Sequence, residues 1–142
     1  MIEFERVFID TSPYIYLLER NETYAGKVEQ LFAYCIENQK QIVTSAVTVE
    51  EFSVGPYRNN DEVLVDDFKA FLMDTDTAMM SIDDRIADDG ARIRAKFAGF
   101  KGMDALQLAC AKLAKCDLFL TNDKQLRQYV DVKVITVEEL DL

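Results

Sequence analysis

Short runs of β-forming apolar residues recur along this chain, separated by helix-length amphipathic stretches, and this alternation constrains the fold more than any other feature. The runs are Val7-Phe8-Ile9, Gln41-Ile42-Val43-Thr44, the weaker Ala78-Met79-Met80-Ser81, Leu118-Phe119-Leu120, and Val132 to Ile135. Strands that are apolar throughout, rather than on alternate residues, belong to a sheet covered on both faces. Between them, Val28, Leu31, Phe32, Cys35 and Ile36 recur at helical spacing across Tyr24 to Asn38. Val63, Leu64, Phe68, Phe71 and Leu72 do the same across Glu62 to Met73, and Ile86, Ala87, Gly90, Ile93 and Phe97 across Asp83 to Phe97. Leu106, Ala109, Cys110 and Leu113 mark a further helix beyond a loop bearing Gly99 and Gly102. Ser12-Pro13 reads as the cap and first residue of a helix that follows the first strand. Thr48 reads as the cap of another that ends near Gly55-Pro56, with Glu51 completing a capping box. A short helix is expected from Asp123 to Tyr129. Strands alternating with helices predict a single α/β domain over residues 1–142, a three-layer α/β/α sandwich with a central, mostly parallel sheet.

Two compositional facts narrow the chemistry. The chain has no histidine, which removes His-based zinc sites, Ser–His and Cys–His nucleophile pairs and imidazole acid–base catalysis. Hydrolysis must then rest on carboxylates, on Lys, Tyr or Cys, or on a metal ion. The formal charge of −10 weighs against bulk electrostatic binding of nucleic acid. That charge is uneven. Residues 61–89 carry ten acids against Lys69 and Arg85, whereas 92–115 carry six bases and a lone acid, Asp104. No apolar run reaches the ~20 residues of a membrane span, and the acidic start lacks the pattern of a signal peptide. Cys35, Cys110 and Cys116 lack metal-knuckle spacing and read as reduced thiols of a cytoplasmic protein.

In an open parallel sheet, ligands bind outside the carboxyl ends of the strands. Asp10 follows the first strand directly and Asp123 lies just past Leu118-Phe119-Leu120. Glu51 falls in the first turn after the second strand, and Asp104 opens the helix before the fourth. Each of these acids except Asp10 has a capping role available to it; their joint placement on one crevice is the informative signal. Carboxylates gathered there repel one another, and hard divalent cations that prefer oxygen, Mg²⁺ or Mn²⁺, relieve that conflict.

The ordered pieces Phe8-Ile9-Asp10-Thr11-Ser12, Ser45-Ala46-Val47-Thr48-Val49-Glu50-Glu51-Phe52 with Gly55, Ala91-Arg92-Ile93-Arg94-Ala95, Met103-Asp104-Ala105-Leu106-Gln107-Leu108-Ala109-Cys110-Ala111 and Leu120-Thr121-Asn122-Asp123 span nearly the whole chain. In this order the chain resembles the PIN-domain family, and within it the ribonuclease toxins of VapC type from toxin–antitoxin pairs. The resemblance carries the family's metal-binding acids onto Asp10, Glu51, Asp104 and Asp123; Glu50 is a rival for the second, and the family spacing selects Glu51. It makes Thr121, with Thr11 or Ser12, the hydroxyls that orient Asp10 and Asp123. It implies endoribonuclease activity with one or two Mg²⁺ or Mn²⁺ ions, usually a homodimer, and inhibition by a small antitoxin that enters the acidic groove. Arg92, Arg94, Lys96 and Lys101, near Asp104 in sequence, are candidate contacts to RNA phosphates. Tyr14, Tyr57 and Phe100 are aromatics able to stack bases, although aromatics at helical spacing are more often core.

Other readings fit less. A phosphoacceptor receiver domain wants a Lys at the end of a late strand, where this chain has Leu120-Thr121-Asn122-Asp123. An aspartyl-nucleophile phosphatase wants a second acid two residues after Asp10, where Ser12 stands. The main alternative is a non-catalytic interaction module of the same fold, which the negative charge favours.

Overall fold

All five apolar runs form strands, and every strand pairing is parallel, in the order β3-β2-β1-β4-β5. The structure is a computed structural model that describes residues 2–142. In chain order the elements are β1 (Arg6–Ile9), α1 (Thr11–Leu18), α2 (Ala25–Glu37), β2 (Gln41–Ser45), α3 (Ala46–Arg58), α4 (Glu62–Asp74), β3 (Ala78–Met80), α5 (Asp84–Lys96), α6 (Gly102–Leu113), β4 (Leu118–Thr121) and β5 (Lys133–Thr136). Short 3₁₀ turns occupy Lys124–Gln128 and Val137–Glu139.

The two-residue side-chain period of the strands splits the core into two layers. Val7 and Ile9 of β1, Ile42 of β2, and Leu118 and Leu120 of β4 face Tyr14, Leu31, Phe52 and Phe68 from α1 to α4. Phe8, Val43 and Phe119 face the other way, onto Ile86, Ile93, Leu108 and Cys110 of α5 and α6. Phe8 and Phe119 are register partners on β1 and β4, and their rings stack at 5.2 Å, nearly parallel. The result is the expected α/β/α sandwich. Cys35, Cys110 and Cys116 are free and buried; burial pushes the Cys35 and Cys116 thiols up to about 12 and Cys110 up to about 11. Among the described residues, no helix is long and apolar enough to cross a membrane.

Three helix boundaries differ from the sequence expectation. The first helix begins at Thr11, so the residue at its cap position is Asp10, not Ser12, and Pro13 sits inside the first turn. Proline is tolerated there because first-turn N–H groups have no intrahelical partner. In α3 the cap is Ser45, whose Oγ accepts from the Val47 N–H at 3.1 Å. Thr48 is therefore inside the helix and fully buried, and its expected capping box with Glu51 does not form. The same helix runs through Gly55 and Pro56 to Arg58 instead of ending there. The Asp61 N–H reaches the Pro56 carbonyl at 2.8 Å, so the chain turns after one further loop of backbone bonds.

Candidate active site

The strand order reverses at β1: the chain passes outward through β2 and β3, then returns to β4 on the opposite side of β1. The carboxyl ends of β1 and β4 therefore flank the crevice of a switch point, where such sheets bind ligands. Asp10 leaves the end of β1, and its backbone N–H donates to the Leu120 carbonyl of β4 at 2.9 Å. Asp123 stands two residues past β4 and accepts from the Gln125 N–H at 3.0 Å, capping the 3₁₀ turn. Glu51 comes from α3 and Asp104 from the first turn of α6. All four acids line one cleft of about 540 Å³, together with Thr11, Ser12, Ile15, Tyr16, Thr121, Asn122 and Lys124.

Each acid is held by neighbouring donors. Thr121 Oγ1 donates to Asp10 Oδ2 at 2.8 Å and accepts from the Asp123 N–H at 3.1 Å, linking the two acids through one hydroxyl. Thr11 Oγ1 donates to Glu51 Oε1 at 2.7 Å. The second oxygen of Asp10 faces Gln107 Nε2 at 3.3 Å, and the same amide nitrogen donates to Thr48 Oγ1 at 2.7 Å. The Gln107 carbonyl oxygen accepts a short bond from Ser45 Oγ. Thr44 Oγ1 donates to the Ile9 carbonyl and is hydrogen-bonded to the Thr48 hydroxyl, both at 2.8 Å. A chain of buried polar groups thus runs beneath Asp10 from β2 and α3 to α6.

The electrostatics follow from this crowding. Burial is the largest influence on Asp10 and raises its pKa, opposed by the bonds from Thr11, Thr121 and Gln107 and reinforced by Glu51. Asp104 is pushed up to about 6, first by burial and then by Asp10, Asp123 and Glu51, with Lys101 acting against them. Two carboxyl groups are therefore held against their preferred ionised form. Among the described residues, no three acidic or cysteine side chains stand where they could together hold a metal ion as placed. Glu51 is hydrogen-bonded to Thr11, Asp10 to Thr121 and Gln107, and Asp123 to the Gln125 N–H. The donor set fits a hard divalent cation in kind: carboxylate oxygens, mutual repulsion, and among the described lining residues a single cation, Lys124.

The sequence candidates do not all gather here. Thr11, Ser12 and Thr121 line the cleft, and Lys101 is close enough to Asp104 to lower its pKa. Arg94 lies beside Gly102 at the start of α6. Arg92 is well exposed, pairs with Asp88 one turn back at 3.2 Å, and borders a separate groove with Lys96, Lys112 and Tyr129. Tyr14 and Phe100 are buried in the core, and Tyr57 is half exposed beside Val54 on α3, away from the acids. Sequence reasoning missed Gln107 and Tyr16. For Gln107 a signal existed, a polar residue at a core position of an otherwise apolar helix; for Tyr16 there was none.

The PIN domain family profile matches residues 7–132. No curated protein sequence matches the chain. Among solved structures the fold is similar to FitAB bound to an IR36 DNA fragment, with TM-score 0.75 and 21% identity over 96% of this chain and 98% of that one. It is also similar to VapBC2 of Rickettsia felis bound to a promoter DNA fragment, at TM-score 0.72 and 13% identity, covering 92% and 98% of the two chains. A third is VapC20 of Mycobacterium tuberculosis, described as a sarcin-ricin loop cleaving toxin, at TM-score 0.68 and 16% identity, covering 89% and 98%.

Proposed function

This chain belongs to the PIN-domain family, and we propose that it is a divalent-metal-dependent endoribonuclease, acting as the toxin of a toxin–antitoxin pair. The observation that carries this reading is the convergence of Asp10, Glu51, Asp104 and Asp123 on one cleft at the switch point, with Asp10 and Asp104 raised above their ordinary pKa. These four acids are the residues to hold one or two Mg²⁺ or Mn²⁺ ions. When bound, such ions supply the positive charge that an in-line displacement at phosphorus needs in a chain without histidine. Thr121 and Gln107 fix the two oxygens of Asp10, and Thr11 fixes Glu51, so the carboxylates reach the cleft with restricted rotation. Lys124 lines the cleft and Lys101 stands near Asp104; both bring positive charge to the phosphodiester side.

Support for the toxin role comes from solved structures of similar fold, among them a toxin–antitoxin complex from Klebsiella pneumoniae and the sarcin-ricin loop cleaving toxin VapC20. On this reading the partners are RNA and a small antitoxin that presents a basic side chain to the acidic cleft, the protein is a homodimer, and it works in the cytoplasm. The test is cleavage of a mixed pool of structured RNA with Mg²⁺ or Mn²⁺, set against EDTA and an Asp10→Asn control. Discrete cuts that need both metal and Asp10 support the nuclease. Absence of cuts with calorimetric silence toward Mn²⁺ rejects it in favour of the interaction module, which the formal charge of −10 favours.

A further inference from the structure

One wall of the acid cleft is built from groups that no metal role employs. We propose that Tyr16 and Lys124 form a nucleotide subsite beside the acids, in which the Tyr16 ring stacks one base of the RNA and Lys124 takes an adjacent phosphate. This inference rests on the ribonuclease reading and concerns how such an acidic protein holds its substrate.

A cleft with four carboxylates, on a chain of formal charge −10, repels an RNA backbone. With only a few cations nearby, such as Lys124 and Lys101, counterion release can supply only a small share of the affinity. Stacking of bases on aromatic rings is not limited in this way, because it depends on π-faces rather than net charge. Among the described residues lining the cleft, Tyr16 supplies the aromatic ring and Lys124 the cation. The cleft volume of about 540 Å³ falls in the range of small-ligand sites.

The ring is set in place before any ligand arrives. Asn122 Nδ2 donates to Tyr16 Oη at 2.5 Å. The Tyr24 ring packs against Tyr16 at 4.8 Å, and Tyr24 Oη donates to Glu138 Oε1 at 2.8 Å. The other oxygen of Glu138 lies 4.0 Å from Lys124 Nζ. These contacts close a loop from α1 through Tyr24 and Glu138 to Lys124, returning by Asn122. Asn122 is flanked by Thr121, which bonds Asp10, and by Asp123, so the ring is tied to the same segment that presents two of the acids. A surface already ordered loses less freedom on binding. Lys124 and Glu138 are both exposed, and an exposed pair at this distance is weak. The ammonium can therefore transfer to a phosphate.

Steady-state cleavage of a short oligoribonucleotide by the native protein, repeated on oligonucleotides with a single abasic nucleotide at each position in turn, tests this. One abasic position near the cut is expected to raise KM roughly tenfold, the loss of one base–aromatic stack. Tyr16→Ala is expected to raise KM by a similar factor with kcat changed less than about threefold, as for loss of uniform binding. In that variant the abasic penalty at the same position disappears. Tyr16→Trp keeps a stacking face and is expected to restore both KM and the penalty, which separates stacking from a folding defect. An abasic profile identical in native protein and Tyr16→Ala, or a kcat loss that Tyr16→Trp does not repair, overturns the subsite while leaving the nuclease standing. A native protein that cuts none of these substrates overturns both.

Discussion

Gln107 reaches Asp10 from the far side of the sheet, its Nε2 3.3 Å from Asp10 Oδ1, although the two residues are 97 positions apart. The amide is fully buried, also donates to Thr48 Oγ1, and accepts from Ser45 Oγ, so three elements meet on one side chain. Gln107 and Thr121 together therefore hold the rotamer of the acid that follows β1.

Gln107→Leu keeps the volume and removes the bonds. It leaves Ser45, Thr48 and one oxygen of Asp10 short of partners in a buried site, at a cost of about 1–3 kcal/mol in urea unfolding. Mn²⁺ affinity by calorimetry is expected to fall about 10- to 100-fold, as for other supports of metal-binding side chains. Gln107→Glu, which keeps the acceptor for Ser45 but adds a charge facing Asp10, is expected to be worse for folding at neutral pH than Gln107→Leu.

The raised acids make the metal-free protein's stability depend on pH in a stated direction. Asp104 has a folded-state pKa of about 6, above its ordinary 3.8. Between those values the folded state binds a proton that the unfolded state does not, so stability falls as pH rises through this window and then levels off. Asp104→Asn lacks this titration. Its melting temperature is expected to match the native value near pH 4 and exceed it above pH 7, by on the order of 3 °C. A native protein that gains stability over the Asn variant as pH rises from 4 to 7 contradicts the electrostatic picture.

On the metal-dependent reading, ion binding relieves the same repulsion. Mn²⁺ at about 100 times its Kd is expected to raise unfolding free energy by about 2.7 kcal/mol. At pH 6 the binding releases protons, measurable as a dependence of calorimetric enthalpy on the buffer's ionisation heat. Asp10→Asn and Asp123→Asn are each expected to abolish the stabilisation. If both variants respond to Mn²⁺ like the native chain, the ion binds elsewhere.

The basic residues separate by position. Lys101 stands near Asp104, whereas Arg92 pairs with Asp88 and borders another groove. Lys101→Ala is expected to weaken RNA binding uniformly across sequences and to lower the slope of log K against log salt by about one. Arg92→Ala is expected to leave that slope unchanged. The reverse result places the RNA along the outer face of α5.

What could be read from the sequence is what local pattern controls. Apolar runs at Val7-Phe8-Ile9 and Leu118-Phe119-Leu120 dictate strands buried on both faces, and helical spacing from Val28 to Ile36 dictates the helix between them. Strand–helix alternation then dictates a parallel sheet, and with it the edge to which Asp10 and Asp123 belong. Helix starts were less legible, because Ser45 and Thr48, or Asp10 and Ser12, are equally good caps until tertiary contacts choose between them. Thr48 is drawn inside by its bonds to Thr44 and Gln107. Only the tertiary structure decided which side chains share the cleft: that Gln107 lies under Asp10, that Tyr16 rather than Tyr14 faces the acids, and that Arg92 points elsewhere. Those facts depend on the strand order and on how each helix is rotated against the sheet. A sequence pattern repeats every two or 3.6 residues and sets the buried face of an element, whereas contacts between groups a hundred residues apart are fixed by packing alone.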